Sequence, residues 1–296
     1  MDKTQEIMQQ VRRIEMQARR LVTATFAGQY RSGFRGQGLD FDDFREYMPG
    51  DEPRFIDWKV TARTGTPYVR KFHEEREQAL LLAVDTSASM RYAGGGSTDS
   101  KLEYAARIAA VLAFSAVQNG DKIGLLLFGC RPHLYLPPAK GMKQCLRVVR
   151  EILSAPPGGE DDSMEDITTE IILTQRKPAM CFLISDFLMQ PDKQAVGKLS
   201  FVHELIPLRI NDPLELELPM VGSFYAQDPE SGEQFIATPG DEDMRTAHSK
   251  AMRAHMLNWE RTFTRQGIDY LSLLTHLDFM PELRKLFARR SRLFAR

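Results

Sequence analysis

From residue 79 onward, short apolar runs recur at intervals: residues 79–84, "KIGLLLFG" from Lys122, "AMCFLISD" from Ala179, "ELIPLRI" from Glu204 and "DYLSLL" from Asp269. Each is too short for a core helix, and the segments between them are long enough to hold one. Strands that are apolar on both faces must be covered on both faces, which predicts a mostly parallel sheet with crossover helices above and below. Ser100 can cap a helix from Lys101 to Asn119, in which Ala105, Ile108, Ala109, Leu112, Ala113 and Ala116 form the packed stripe and Gly120 is the stop. Further helices are expected near 142–153, 164–176, 192–200 and about 243–265, with a last one from Pro281; "HLYLP" is expected as a short edge strand.

Upstream, Ile7, Val11, Ile14, Ala18, Leu21 and Val22 give residues 4–24 the spacing of an amphipathic helix that covers a groove in its own chain. Residues 28–76 read as turns such as "PGDE", an Arg/Asp ion-pair web, and buried Phe41, Phe44, Tyr47 and Trp58. Arg45, Asp51, Arg54, Asp57 and Trp58 are expected to clamp this stretch onto the sheet domain. Gly36-x-Gly38 has neither the preceding strand nor the third glycine of a dinucleotide loop. A chain of 296 residues, 43% hydrophobic, can bury one large core with an extension, so we divide it into an extension at 1–77 and a sheet domain at 78–296.

Within the second part lies an acidic insert at about 211–243, with nine carboxylates and no Lys or Arg, whose ends alternate polar and apolar around "DPESGE"; it reads as a β-hairpin. The C-terminal "RKLFARRSRLFAR" is basic. The whole chain balances at a formal charge of −1, so no field favours nucleic acid or an anionic membrane. Cys130, Cys145 and Cys181 are odd in number and unpatterned, as reduced packed thiols would be, and neither CxxC nor HExxH suggests zinc. The polar start "MDKTQEIMQQ" is no secretory signal, and no apolar run approaches the ~18 residues of a membrane span, so a cytoplasmic protein is expected.

The chemistry concentrates at two strand ends. In "LLLAVDTSASM" the strand runs into Asp85, Ser87 and Ser89, and "FLISDF" ends in Asp186. Ligands of open parallel sheets collect at the carboxyl ends of strands. The D-x-S-x-S spacing lets a tight turn aim three oxygens to one side, and an all-oxygen set suits Mg²⁺ or Mn²⁺ better than zinc. Asx turns and helix caps produce the same string without an ion.

These strings, with the βα order between them, resemble the von Willebrand factor A domain and its metal-ion-dependent adhesion site. With "GDEPRFIDW" (Gly50 to Trp58), "KLEYAARIAAVLAFSAVQNGDKIGLLLFG" and "NDPLELELPMVGSFYAQDPESGE", nearly the whole chain resembles the bacterial domain of unknown function 58 family. The resemblance implies an α/β fold: a von Willebrand factor A-like, doubly wound, mostly parallel sheet with helices on both faces, an N-terminal extension and a β-hairpin insert. It also implies Asp85, Ser87 and Ser89 in a first metal loop and Asp186 in a third, with the serines binding directly and the carboxylates largely through water. Where the second loop of such sites supplies a threonine, "PPGGEDDSMED" has Glu160, which leaves open Glu160 as a direct ligand, Ser163 as a substitute, or an ion bound in another way. The implied cofactor is a divalent cation, Mg²⁺ ahead of Mn²⁺ and Ca²⁺, and the implied partner a MoxR-type AAA+ ATPase.

The expected function is therefore a metal-ion-dependent protein-binding module, an adaptor rather than an enzyme. The alternative is a metal-dependent hydrolase such as a phosphoesterase, with Asp85 as nucleophile or metal ligand. Against it, Ser87 stands where a phosphatase-type Asp-x-Asp pair needs its second acid, and His73, His133 and His203 read as packing or surface residues.

Overall fold

The structure is a computed structural model; it describes residues 3–22, 24–33, 39–74, 78–94, 99–129, 133–156, 158, 162–228 and 232–294. The elements run α1 (Lys3–Leu21), α2 (Ala24–Gly33), β1 (Leu39–Glu46), α3 (Trp58–Thr64), β2 (Tyr68–Glu74), β3 (Ala79–Asp85), α4 (Lys101–Asn119), β4 (Lys122–Phe128), β5 (Leu134–Ala139), α5 (Met142–Ser154) and α6 (Met164–Thr174). Then come β6 (Met180–Ser185), α7 (Lys193–Val202), β7 (Glu204–Asn211), α8 (Pro213–Leu216), β8 (Phe224–Gln227), β9 (Gln234–Ala237), α9 (Glu242–Arg265), β10 (Leu271–Leu274) and α10 (Met280–Phe294).

A six-stranded sheet has the order β10-β7-β6-β3-β4-β5. Every pairing in it is parallel except that of β5, which runs antiparallel to β4 at one edge. The fold is thus the doubly wound, mostly parallel α/β arrangement that the apolar runs imply. Side chains alternate across β3: Leu81 and Ala83 join a core with α6, α7 and α9 through Ile167, Ile171, Val196, Leu199, Trp259 and Phe263. Leu80, Leu82 and Val84 are equally buried, as are Ile108 and Leu112 of α4. Helix α4 begins with a capping box, in which Ser100 Oγ accepts from Glu103 N and the Glu103 carboxylate accepts from Ser100 N, and ends at Gly120 with φ 81°.

The chain forms two compact units, one made of residues 1–33 with 78–296 and the other of 34–77. Sequence reading divides the chain at residue 77; the structure instead groups residues 1–33 with the sheet. The reason is packing: α1 buries Val11, Ile14 and Ala18, and Gln10 Nε2 donates to Glu103 Oε1 of α4 at 2.9 Å. In α2, Phe26 and Tyr30 meet Phe287 of α10 edge to face, with centroids 5.4 and 5.7 Å apart.

The second unit contains an antiparallel β1–β2 ribbon, where turns and ion pairs alone were expected, and the short helix α3. Asp57 caps α3 by accepting from Lys59 N and Val60 N, and Arg45 grips Asp51 with two bonds of 2.6 and 2.7 Å. Trp58 is not buried as expected but 68% exposed, while Phe44 and Tyr47 are half-buried and Phe41 lies outside the described side chains. The ribbon escaped sequence reading because "LDFDDFRE" and "YVRKFHE" carry charge on both faces, and the alternation that begins at Leu39 breaks at Asp43, where the register shifts. The expected hairpin is present in the insert, with Phe224 opposite Ala237 and Gln227 opposite Gln234.

The two tryptophans should separate in a stability test. Trp259 is fully buried, stacks on Phe263 at 5.2 Å, meets Phe187 at 5.0 Å and donates its indole N–H to Met189 O. Trp259→Ala should lower stability by about 3–5 kcal/mol in chemical denaturation. Trp58→Ala should change it by no more than about 0.5 kcal/mol.

Candidate functional site

The parallel register pairs Asp85 with Phe128 on one side and Val84 with Ile184 on the other, so β3, β4 and β6 end together at one rim. Beyond Asp85 the chain folds into a tight turn and a 3₁₀ turn at Ser89–Arg91, in which Met90 N and Arg91 N donate to Ser87 O and Ala88 O. Thr86 points sideways: both its N–H and its hydroxyl donate to Phe128 O, at 2.8 and 2.7 Å. Asp85, Ser87 and Ser89 take the other side, and all three are buried.

Their oxygens form a chain. Ser87 Oγ and Ser89 Oγ share a hydrogen bond of 3.1 Å, and Ser89 Oγ donates to Asp186 Oδ2 at 2.8 Å. Asp85 Oδ1 accepts from Ser87 N at 2.9 Å and Asp85 Oδ2 from Ser185 Oγ at 2.6 Å. Asp186 is aimed by a strained corner: Phe187 has a left-handed φ of 55°, held by its N–H on Ser185 Oγ, its carbonyl on His255 Nε2 and its ring packed edge to face on both Trp259 and Phe263.

Loops from the neighbouring strands press against this one. A Cβ at Gly129, whose φ is +79°, would lie 2.6 Å from Ser87 N and 2.7 Å from Asp85 Oδ1. One at Gly158 would lie 1.6 Å from Gly129 O, and Gly158 N donates to Thr86 O at 3.3 Å. Both positions therefore require glycine. Asp162, a buried acid that sequence reading passed over, accepts from Gly129 N and pairs with His133 Nε2, each at 2.7 Å. His133 is thus tied to a loop next to the rim. Ser163 is an exposed helix cap whose hydroxyl serves Asp166, and it is not brought to the other oxygens; Glu160 lies outside the described residues.

The largest omission of sequence reading is Lys101. Its ammonium is fully buried, donates to Asp186 Oδ2 at 2.7 Å and pairs with Glu215 of α8. The one available signal was weak: a lysine at the first position of a helix, the positive end of its dipole, where cations are disfavoured. Burial alone pulls this ammonium down, but Asp186 and Glu215 hold it above its usual value. Burial pushes Asp85 up to about 7, and the charge of Asp186 adds to the rise.

Ser87 Oγ, Ser89 Oγ and Asp186 Oδ2, backed by Asp85, are hard oxygens of the kind a divalent cation of the Mg²⁺ class takes, and would fill part of its six-coordinate shell. Among the described residues no group of three His, Cys, Asp or Glu is placed to hold a metal, so an ion here would depend on the hydroxyls for part of its shell. The donors fit; the neighbouring ammonium opposes tight binding. A carboxyl raised from 3.8 to about 7 on folding retains its proton in the native state while the unfolded chain loses it. Its contribution to stability is therefore full below pH 3.8 and is lost as pH rises toward 7. The metal-stripped protein should melt lower at pH 8 than at pH 5, and Asp85→Asn should flatten that part of the profile in thermal scans.

An uncharacterized protein of Mycobacterium tuberculosis is 29% identical over 291 residues, covering 95% of this chain and 89% of the relative. A shorter uncharacterized protein of Mycobacterium avium is 28% identical over 160 residues, covering 53% of this chain and 94% of its own. Among solved structures, the conserved hypothetical protein BatB from Bacteroides thetaiotaomicron overlaps 73% of this chain and 99% of its own, at 15% identity and a TM-score of 0.45. The sequence profile described as "Protein of unknown function DUF58" matches residues 43–258, well over half of the chain, which belongs to that family.

Proposed function

We propose that this protein is a metal-ion-dependent protein-binding module, with Asp85, Ser87, Ser89 and Asp186 holding a divalent cation, Mg²⁺ first, that is offered to an acidic group of another protein. The observation that carries this reading is the convergence of these four side chains, from two strands a hundred residues apart in sequence, on one continuous line of oxygens at the sheet's rim. Binding is favoured over hydrolysis because both oxygens of Asp85 are engaged, by Ser87 N and Ser185 Oγ, which leaves it poorly placed as a nucleophile.

The finer reading is an adaptor or partner of a MoxR-type AAA+ ATPase, with the insert as a contact surface. It is supported by exposed Tyr225 and Ile236, paired across the hairpin, on a segment without Lys or Arg. A cytoplasmic address is supported by the buried thiols of Cys145 and Cys181, both pushed up to about 12 by burial and neither in a disulfide. No helix among the described residues is long and apolar enough to cross a membrane.

Calorimetric titration of Mg²⁺, Mn²⁺ and Ca²⁺ into the stripped protein should show binding that Asp85→Ala abolishes. Binding to a purified MoxR-type ATPase should then require the cation, be lost in chelator and be lost in Asp85→Ala. Unchanged affinity in Asp85→Ala would remove the site from the interaction.

A further inference from the structure

Lys101 sits where neither burial nor helix electrostatics favours it. It is the first residue of α4, at the positive end of the helix dipole, and its ammonium is fully buried. Burying a charge is costly unless partners compensate, so its position is explained by those partners. They belong to two different parts of the molecule. One is Asp186, whose Oδ2 also accepts from Ser89 in the line of rim oxygens. The other is Glu215, in the short helix that opens the acidic insert.

Glu215 is itself wired into the insert's root. Its carboxylate accepts from Asp212 N at 3.0 Å, and its backbone carbonyl accepts from His248 Nε2 of α9 at 2.8 Å. Asp212, fully buried, accepts from Leu214 N, from Gly94 N in the segment that leads from the first rim loop toward α4, and from Thr275 Oγ1 after β10. An unbroken run of hydrogen bonds therefore joins Ser87, Ser89, Asp186, Lys101, Glu215 and Asp212. Lys101 is the one member with a positive charge, and a cation arriving at the serines would meet it across a shared carboxylate oxygen.

We propose that Lys101 is an internal counter-ion that competes with the rim cation for Asp186 and passes the occupancy of the rim to the acidic insert through Glu215; this rests on the metal-binding reading above. With no ion bound, the ammonium bridges Asp186 and Glu215. Were a divalent ion held at the rim, Asp186 would be drawn to it and the Lys101 ammonium would shift onto Glu215, tightening the root of the insert. Lys101 thus acts as a positioning residue, linking a rim that binds cations to a surface suited to a protein partner.

The test pairs calorimetric Mg²⁺ titration with amide exchange, with and without Mg²⁺, in wild type, Lys101→Met and Glu215→Gln. The amides of Leu214, Glu215 and Glu217 are hydrogen-bonded within the root, so their exchange reports its stability. The inference expects Mg²⁺ to slow these amides in wild type, and Glu215→Gln to bind Mg²⁺ without slowing them. Lys101→Met should bind Mg²⁺ at least about tenfold more tightly, since a like charge beside the ion has been removed. Mg²⁺ binding by wild type with no slowing at the root, or equal affinity in Lys101→Met, would overturn the role of Lys101 and leave the metal site standing. Absence of Mg²⁺ binding in all three proteins would overturn both. If Lys101→Met fails to fold with its two carboxylates unpaired, wild type and Glu215→Gln decide the matter by exchange alone.

Discussion

Parallel pairing of β3 with β6, in the register that sets Val84 against Ile184, is the constraint on which the rim depends. A slip of one residue would turn every side chain of one strand to the opposite face. Leu81 and Ala83 would then leave the core shared with Trp259 and Phe263, and Asp85 would lose Ser185 Oγ. The apolar layers on the two faces of β3 thus fix the placement of two buried carboxylates that would not associate otherwise. Packing sets the register, and the register sets the electrostatics.

Those electrostatics are unbalanced. Asp186 and Glu215 share one ammonium that does not extend to Asp85, and the outcome is visible in Asp85, which burial and the charge of Asp186 keep largely protonated below about pH 7. The protein contains the repulsion by backbone geometry, packing and hydrogen bonds. Gly129 and Gly158 let neighbouring loops close on the first one, and Phe187 is held in a left-handed corner by two rings and two hydrogen bonds. Strain of this kind, on the order of 1–3 kcal/mol per residue, persists only where the surroundings over-determine it.

Much of this was legible in the sequence, and the limits follow from physics. Strands β3, β4 and β6 were readable because both of their faces are buried, so the apolar run is continuous. Helix α4 was readable from Ser100 and Gly120, whose capping geometry is local. Asp85, Ser87, Ser89 and Asp186 were readable because strand ends of a parallel sheet share a rim. Lys101 was not: its meaning depends on Asp186 and on Glu215, 114 residues away, and no local pattern encodes such a triad. Asp162 was hidden among neighbouring acids, "EDD", although its burial and its hold on Gly129 set it apart. Trp58 misled because a large aromatic among turns and paired charges reads as core, yet Asp57 caps α3 without requiring that ring to be covered.

The division of labour among the acids bears on what the rim can do with an ion. Asp162 is committed to Gly129 N and His133, Glu215 to Lys101 and Asp212 N, and Asp85 to Ser87 N and Ser185 Oγ. Asp186 is engaged as well, its Oδ2 by Ser89 Oγ and Lys101 Nζ and its Oδ1 by Leu188 N, so a cation at this rim would have to displace or share one of those bonds, with two neutral hydroxyls beside it. Under the proposed reading, an ion in such a shell would keep most of its positive charge, and that charge would attract an acidic side chain from another protein. A buried ammonium on the same carboxylate increases the local positive potential while lowering the affinity for the ion. If the rim holds a cation as proposed, weak retention of the ion and attraction for an acidic partner would have one structural origin, and the two binding events would be thermodynamically coupled.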